Sequence, residues 1–140
     1  MAHHKIALLA DTHGLLREEV VQKIKDCEVI FHAGDFGGPE IVERLQQIAP
    51  VYMARGNNDK EWAKDMPYFV REQIGNRTFY MCHKKQDLPD ELGKVDFVIC
   101  GHSHKYELKQ EGSICYINPG SCGQRRFNQP ITCLLYTSDA

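Results

Sequence analysis

Apolar runs and helical stripes alternate along the first 59 residues of the chain. The runs Lys5–Ala10, Cys27–Ala33 and Val51–Ala54 are short and mostly apolar, which predicts three strands. Between the first two runs, apolar positions in Leu15–Lys25 recur at helical spacing, and a second amphipathic helix begins at Pro39. The order β-α-β-α-β predicts a parallel sheet with crossover helices.

The rest of the chain has the pattern of hairpins. Gly75-Asn76 and Glu111-Gly112 each separate two strand-like runs and are typical of tight turns. The strands predicted in this part are Tyr68–Ile74, Arg77–Cys82, Val95–Cys100, Tyr106–Lys109, Ser113–Ile117 and Ile131–Tyr136. We therefore expect a single α/β domain over residues 1–140. Its expected architecture is a layered αββα sandwich, in which two packed mixed β-sheets are flanked by helices.

Length and charge narrow the class of protein. A chain of 140 residues has room for one domain with a hydrophobic core, and not for two. Its net charge of −2 carries no electrostatic signature of nucleic acid or an anionic membrane, so we expect neither as a stable partner. No apolar run approaches the roughly 20 residues of a membrane helix. No cleavage signature follows the first apolar run, so we expect a cytoplasmic protein.

The cysteines do not have the spacing of a metal or redox motif. They are Cys27, Cys82, Cys100, Cys115, Cys122 and Cys133, and no two of them form a C-x-x-C pair. Several lie inside apolar runs, where a reduced cysteine behaves as a small hydrophobic residue. This spacing disfavours a zinc ribbon or a cysteine-based redox protein.

The last residues of the sequence, from about Leu134, have two interpretations. They form either a strand of the domain that ends the chain, or a truncated reading frame that carries a cloning or sequencing scar. No residue of this tail is a candidate for chemistry.

Polar residues follow the apolar runs at several points, and Ile30-Phe31-His32-Ala33-Gly34-Asp35 is the clearest example. In an α/β sheet the chemistry gathers beyond the carboxyl ends of the strands, and Gly34 permits a tight exit turn before Asp35. The other polar groups in such positions are Asp11-Thr12-His13, Gly56-Asn57-Asn58-Asp59, His83 and Gly101-His102-Ser103-His104. Oxygen and nitrogen ligands at strand ends predict a transition-metal site, which we interpret as two ions with Asp35 between them.

Each of these groups also has an ordinary structural interpretation. Residues i and i+2 of an extended strand exit point the same way, so Asp11 and His13 can reach one ion, but a helix cap beside a surface histidine has the same sequence. The same geometry applies to His102 and His104, and two histidines at this spacing are stronger evidence for a metal site than Asp11 and His13. His83, taken alone, is as typical of a structural histidine as of a metal ligand. Asn57 is either an amide ligand, acceptable to manganese or iron, or a turn residue beside Gly56.

Taken in order, the motifs D-x-H, G-D, G-N-N-D, H and G-H-S-H resemble those of the calcineurin-like metallophosphoesterase superfamily. The resemblance is greatest to its small phosphodiesterase branch, which also includes the retromer subunit vacuolar sorting protein 29. It runs from Lys5 to about Phe127, and the stretch Asn118-Pro119-Gly120-Ser121 is also typical of that branch. The resemblance implies a dinuclear site that hydrolyses phosphoester bonds through a metal-bridging hydroxide.

The resemblance also implies a ligand for each ion. Asp35 would be shared by both ions, and the remaining ligands would be Asp11, His13 and His104 for the first ion and Asn57, His83 and His102 for the second. Manganese is the first expectation for the metal, followed by nickel, iron, magnesium or zinc. The expected substrate is a small phosphoester or nucleotide in an open site, since the chain has no room for a capping domain.

Two positions depart from the family pattern. Many members carry a histidine, a proton donor to the leaving group, where this chain has Asn58, and an amide cannot act as an acid. The family usually has H-G-H where this chain has His83-Lys84-Lys85, so Lys85 is either a positive charge near the phosphate or an exposed loop lysine. We also expect Asp59 to orient a histidine ligand rather than bind a metal itself, and Arg55 to lie near the site.

Two classes of function follow from these residues. The first is a metal-dependent phosphodiesterase or phosphatase, and the second is a non-catalytic metal-binding scaffold of the retromer-subunit type. Because all seven expected ligand positions carry ligand-type side chains, we favour the enzyme. His32, which precedes the Gly34-Asp35 turn, is expected to be a core histidine or to support the ligands.

Overall fold

Two mixed β-sheets pack face to face in the computed structural model, which describes residues 3–121 and 134–139. The first sheet consists of β1 (His3–Leu9), β2 (Val29–His32), β3 (Val51–Met53) and β9 (Leu134–Asp139), in the order β3-β2-β1-β9. The second consists of β4 (Phe69–Ile74), β5 (Arg77–Cys82), β6 (Phe97–Ile99), β7 (Tyr106–Glu111) and β8 (Ile114–Pro119), in the order β4-β5-β6-β8-β7. The helices α1 (Glu18–Ile24) and α2 (Pro39–Gln46) connect the parallel strands β1, β2 and β3.

Strand β1 shows why the sheet has a helix layer on one face and a second sheet on the other. Its residues are apolar on both sides of the pleat, as expected of a parallel strand buried on both faces. Ala7 and Leu9 belong to the cluster formed with the helices, whereas Ile6 and Leu8 belong to the cluster between the sheets. In that second cluster Phe31 of the first sheet stacks on Phe79 of the second, with ring centroids 5.1 Å apart.

The outer face of the second sheet is covered differently. Cys82, Val98 and Cys100 are buried there, and Leu88 and Leu92 from the segment 84–94 pack against them. This segment contains a single 3-10 turn, Lys85–Asp87, and no α-helix. The layered α/β fold with two mixed sheets is therefore confirmed, with its α-helices on the side of the first sheet in the described residues.

Most predicted elements form, with shifted boundaries. The first helix begins at Glu18 rather than Leu15, because the Leu15 N–H donates to the Thr12 carbonyl in a turn and Arg17 is still extended. The second strand begins at Val29, after the Cys27 N–H has bonded back to the end of the helix. The predicted turn at Glu111-Gly112 lies one residue later, where Gly112 has φ +60°.

Some predictions lie partly or wholly outside the described residues. These are Cys122, Cys133 and the part of the last predicted strand at residues 131–133. Strand β9 pairs antiparallel with β1, and the two interpretations of the tail stay open. Cys27, Cys82 and Cys100 are buried, as expected of small apolar residues. Among the described residues, no helix has the length and apolar character needed to cross a membrane.

Candidate metal centre

The polar groups that follow the strands meet at one edge of the two sheets. Within the first sheet, the Asp11 N–H donates to the Gly34 carbonyl over 3.0 Å. Within the second, the Gly101 N–H donates to the His83 carbonyl over 2.8 Å. The Ser121 hydroxyl then crosses between the sheets and donates to the Asp11 carbonyl over 2.9 Å. Backbone geometry therefore fixes the loops of both sheets relative to one another.

Two clusters of potential ligands lie at this edge. Asp11, His13 and His104 form the first, and Asp35, His83 and His102 form the second. In each cluster the three ligand atoms lie within 4.8 Å of one another. In the first, His104 Nε2 is 3.3 Å from His13 Nε2 and 3.7 Å from Asp11 Oδ1. In the second, His83 Nε2 is 3.2 Å from Asp35 Oδ2.

The two clusters adjoin at the carboxylates. Asp35 Oδ2 is 3.8 Å from His13 Nε2 of the other cluster, and Asp11 Oδ1 is 3.9 Å from His83 Nε2. Asp11 also accepts a hydrogen bond at Oδ2 from the backbone of His102, over 2.9 Å. Six of the seven predicted ligands thus form one contiguous group, in which Asp35 lies beside histidines of both clusters.

The backbone at these residues is strained. A positive φ is uncommon outside glycine and typically costs about 1–3 kcal/mol per residue. Among the described residues the non-glycine positions with positive φ are Asp11, His13, Asp35, His102 and His104, at 47° to 75°. All five are predicted ligands. Strain confined to one site indicates that the surrounding structure holds these side chains in place for a function.

The chemistry of the donor set fits divalent transition ions. Imidazole nitrogens and carboxylate oxygens are the ligands that such ions take in proteins. His83 Nε2 is buried and, within the described residues, has no well-aligned hydrogen-bond partner, while its Nδ1 lies 2.8 Å from the Ala33 carbonyl. A histidine held by a carbonyl at one nitrogen and open at the other has the usual arrangement of a metal ligand.

The carboxylate of Asp35 is held in its charged form. Burial raises its pKa, but the close approach of His83, the Asn58 N–H and the charge of His13 together hold the pKa well below its ordinary value. Burial lowers the pKa of His83, but Asp35 and Asp11 outweigh it and leave the pKa above its ordinary value. The Asp35 carboxylate therefore stays charged, which is the state a cation requires.

Asp59 supports Asp35 through the backbone and is almost fully buried. Its Oδ2 accepts the N–H groups of Asp35 and Gly56, both over 2.8 Å, and its Oδ1 accepts that of Phe36 over 2.9 Å. We expected Asp59 to orient a histidine ligand, but its described carboxylate contacts are with backbone N–H groups around Asp35. It acts through the main chain on both sides of Asp35.

Asn58 contacts Asp35 directly. Its N–H donates to Asp35 Oδ1 over 2.8 Å, and its side-chain amide donates to Oδ2 over 3.0 Å. Gly56 approaches the same carboxylate so closely that an added Cβ would lie 2.2 Å from Asp35 Oδ1. Asn57 is exposed, and its carbonyl accepts a bond from Lys60 Nζ. Its assignment as an amide ligand stays a prediction.

His32 joins the two ligand-bearing loops of the first sheet. It is fully buried, and its Nδ1 accepts the Gly34 N–H over 3.1 Å. The proton must then lie on Nε2, which donates to the Thr12 hydroxyl over 3.0 Å. Thr12 in turn donates to the Phe36 carbonyl over 2.9 Å. Thr12, between Asp11 and His13, is a member of the site that sequence reasoning missed.

Replacing His32 should change how stability depends on pH. Burial, followed by the charge of His83, lowers the pKa of His32 in the folded protein to about 3. In the unfolded chain its pKa is about 6.5, so the neutral ring contributes its full stabilisation at pH values above 6.5. This contribution is lost as the pH falls below 6.5 towards 3. We expect metal-free wild type to lose roughly 2 kcal/mol more stability than His32→Gln between pH 7.5 and 5. Urea unfolding of both proteins measures this, and parallel curves would contradict the assignment.

The remaining predicted site residues have contacts of other kinds. Arg55 donates from Nε to the Asp59 carbonyl over 2.9 Å, and its guanidinium lies over the ring of Tyr68, so it braces the loop. Lys85 is exposed, 4.0 Å from Glu107 Oε1, and lines a cavity of about 210 Å³ together with His102. Asn118 ties the histidine loop by donating to the Gly101 carbonyl over 3.1 Å.

Known proteins resemble the chain over most of its length. The family described as the calcineurin-like phosphoesterase superfamily domain matches residues 5–140. A probable metallophosphoesterase of Methanothermobacter thermautotrophicus is 28% identical over 145 residues, covering 93% of this chain and 84% of the relative.

Two solved structures share the fold. A single mutant of Vps29 from Entamoeba histolytica has a TM-score of 0.77 and 20% identity, covering 94% of this chain and 84% of its own. YfcE, a phosphoesterase from E. coli, has a TM-score of 0.75 and 23% identity, covering 94% of this chain and 87% of its own. The family match over residues 5–140 places this protein in the calcineurin-like phosphoesterase superfamily.

Proposed function

We propose that this protein is a metal-dependent phosphodiesterase with a dinuclear site. The observation that carries the proposal is the pair of adjoining clusters, each with one carboxylate and two imidazoles, with Asp35 beside histidines of both. The family membership supports a phosphoesterase, and the dinuclear site and diester preference go beyond it.

We propose the division of ligands between two ions that the resemblance to the family implies. Asp11, His13 and His104 would hold one ion and His83, His102 and Asn57 the other, with Asp35 shared. We propose manganese as the first candidate for both positions, followed by nickel, iron, magnesium and zinc. When bound, two such ions would neutralise charge on the phosphoryl group and lower the pKa of a nucleophilic water.

The protein's own groups would hold this arrangement in place. Asp59 and His32 fix the turn that presents Asp35, and the left-handed backbone aims the ligands before any substrate binds. Such preorganisation reduces the reorganisation needed in the transition state. Asn58 holds the Asp35 carboxylate but cannot donate a proton as an acid, so we expect substrates with acidic leaving groups to react fastest.

The substrate class follows from the surroundings of the site. The cavity beside His102 combines apolar walls at Val98 and Tyr116 with polar groups at Lys85, Ser103, Glu107 and Asn118. Its volume of about 210 Å³ suits a single aromatic ring or a sugar rather than a large polymer. We therefore propose a small phosphodiester or nucleotide as the substrate.

The direct test is turnover of a bis-aryl phosphate. Protein stripped of metal should be inactive, and activity should return with added Mn²⁺ and saturate near two ions per chain. The same protein, shown to be folded by circular dichroism, should be tested with Ni²⁺, Mg²⁺, Zn²⁺ and Fe²⁺. A folded sample that binds two ions and hydrolyses nothing with any of them would contradict the enzyme and favour a metal-binding scaffold, as the likeness to Vps29 suggests.

Position 58 should control the preference between leaving groups. We expect wild type to favour aryl over alkyl phosphodiesters strongly, because a missing general acid costs roughly 10²–10⁴-fold and matters most for poor leaving groups. Asn58→His should raise alkyl turnover and narrow the gap. Asn58→Ala is the control, because it removes the same contact with Asp35 and supplies no acid. The readout is kcat/KM for a matched aryl and alkyl pair of substrates. Similar kcat/KM values for the two substrates in wild type would contradict this role of Asn58.

A further inference from the structure

Strand β7 lies at one edge of the second sheet and is exposed along its whole length. Its neighbour on one side is β8, and no described strand pairs with its other side. An unpaired edge offers a row of free N–H and C=O groups to another chain. Soluble proteins usually protect such an edge with charged side chains or a proline, and the order of the charges decides whether they repel or attract a second copy of the strand.

The side chains of β7 divide into an apolar row and a charged row. Tyr106 and Leu108 are 45% and 57% exposed, and they point to the inner face because they are in register with the buried Pro119 and Ile117. The opposite face carries alternating charges. These are Lys105, directly before the strand, and then Glu107, Lys109 and Glu111.

This order of charges is complementary to itself in reverse. If a second copy of β7 lies antiparallel, with a two-fold axis at Leu108, Lys105 faces Glu111 of the copy and Glu107 faces Lys109 of the copy. On the other face Leu108 meets its own copy and Tyr106 meets Gln110. In an isologous interface each such pair occurs twice, so all four charged pairs are attractive.

Neighbouring registers do not have this property. A shift of two positions in one direction places Lys105 opposite Lys109 and Glu107 opposite its own copy. The shift in the other direction places Glu107 opposite Glu111 and Lys109 opposite its own copy. The other edge of this sheet, β4, also lacks the pattern, because pairing about its centre brings Arg71 or Glu72 against itself. Charge therefore selects one strand and one register.

We propose that β7 is the contact through which two copies of this chain form a symmetric dimer with one continuous ten-stranded sheet. Within one chain Lys109 is 3.0 Å from Glu111 and Glu107 is 4.0 Å from Lys85. Both pairs are exposed, and exposed pairs contribute little, so they do not compete strongly with the pairs across the axis. The strand alone buries little surface, so we expect a weak, concentration-dependent dimer.

Charge exchange tests this contact. Sedimentation of wild type from about 1 μM to about 1 mM should show a monomer–dimer equilibrium that weakens with salt. Lys109→Glu should raise the dimer dissociation constant roughly tenfold or more, because Glu107 then faces a glutamate twice. The double variant Glu107→Lys, Lys109→Glu should restore the wild-type value. Lys23→Glu, on helix α1, makes the same change in net charge away from β7 and should have no effect.

A cross-link locates the axis. Leu108→Cys treated with a short bifunctional maleimide should give a covalent dimer well above the wild-type background, whereas Lys94→Cys, away from β7, should not. Circular dichroism confirms that each variant is folded. A protein that stays monomeric over the whole range would overturn the proposal. So would a dimer that is indifferent to Lys109→Glu, or one that cross-links equally from both cysteine positions.

Discussion

Asp35→Asn is expected to abolish most of the metal binding and hydrolysis while leaving the protein folded. The substitution keeps the shape of the side chain and one oxygen to accept from Asn58. It removes the negative charge from the position that adjoins His83 at 3.2 Å and His13 at 3.8 Å. Changes one shell further from a metal already cost about 10–100-fold, so we expect the loss of activity to exceed about 100-fold.

Metal stoichiometry separates a shared ligand from an ordinary one. If both ions depend on Asp35, the variant should bind at most one ion per chain under conditions that load wild type with two. Asp90→Asn, at an exposed loop position, is the control for the change in charge and should behave as wild type. Two tightly held ions in Asp35→Asn would show that this carboxylate is not shared.

Asp59→Asn should damage the same site through the backbone. One of its two oxygens becomes an N–H₂ group that faces a backbone N–H, and the residue is 1% exposed. An unmatched buried donor beside a lost charged acceptor costs roughly 2–4 kcal/mol. We expect a lower urea midpoint, and a reduced metal affinity because the carboxylate no longer holds the Asp35 and Phe36 N–H groups of the turn and the Gly56 N–H together.

Asp59→Asn and Asp35→Asn should differ in whether added metal restores activity. Asp59→Asn should lower both stability and metal affinity, and a high metal concentration should recover part of its activity, because every ligand remains present. Asp35→Asn lacks a ligand, so added metal should not rescue it. If Asp59→Asn is as stable as Asp90→Asn, the clamp seen around the Asp35 turn does not contribute to folding.

The parts of the fold that were predictable are those where periodicity follows burial. The β1-α1-β2-α2-β3 order and the Gly75-Asn76 turn follow directly from apolar spacing and turn chemistry. The start of α1 was not predictable in this way, because Leu15 and Leu16 fit the helical stripe while the chain is still in the turn after His13. The covering of the second sheet by the loop 84–94 also left no periodic signal, since Leu88 and Leu92 lie in irregular structure.

The candidate site also has a part that the sequence predicts and a part that it does not. Strand-end positions identify which residues meet, and six of the predicted ligands fall into two clusters. Spacing along the chain carries no information about contacts made by the loops across the sheets. Sequence reasoning therefore assigned Asn58 only to the leaving group, although both its N–H and its amide bind Asp35. The hydrogen bond between Thr12 and His32 could not be predicted either, because a single threonine between two predicted ligands forms no recognisable sequence pattern.

The left-handed backbone at five of the predicted ligands affects the balance between stability and metal binding. At each of these positions a glycine would relieve about 1–3 kcal/mol of local strain, offset in part by about 0.4–1 kcal/mol of extra conformational entropy in the unfolded chain. At His102, the exposed member of the set, such a change removes a ligand but little packing. The variant would then melt above wild type in a chelator and below it in excess manganese, since an ion held at 100 times its dissociation constant adds about 2.7 kcal/mol. This reversal would show that the backbone at this position favours metal binding over the stability of the metal-free fold.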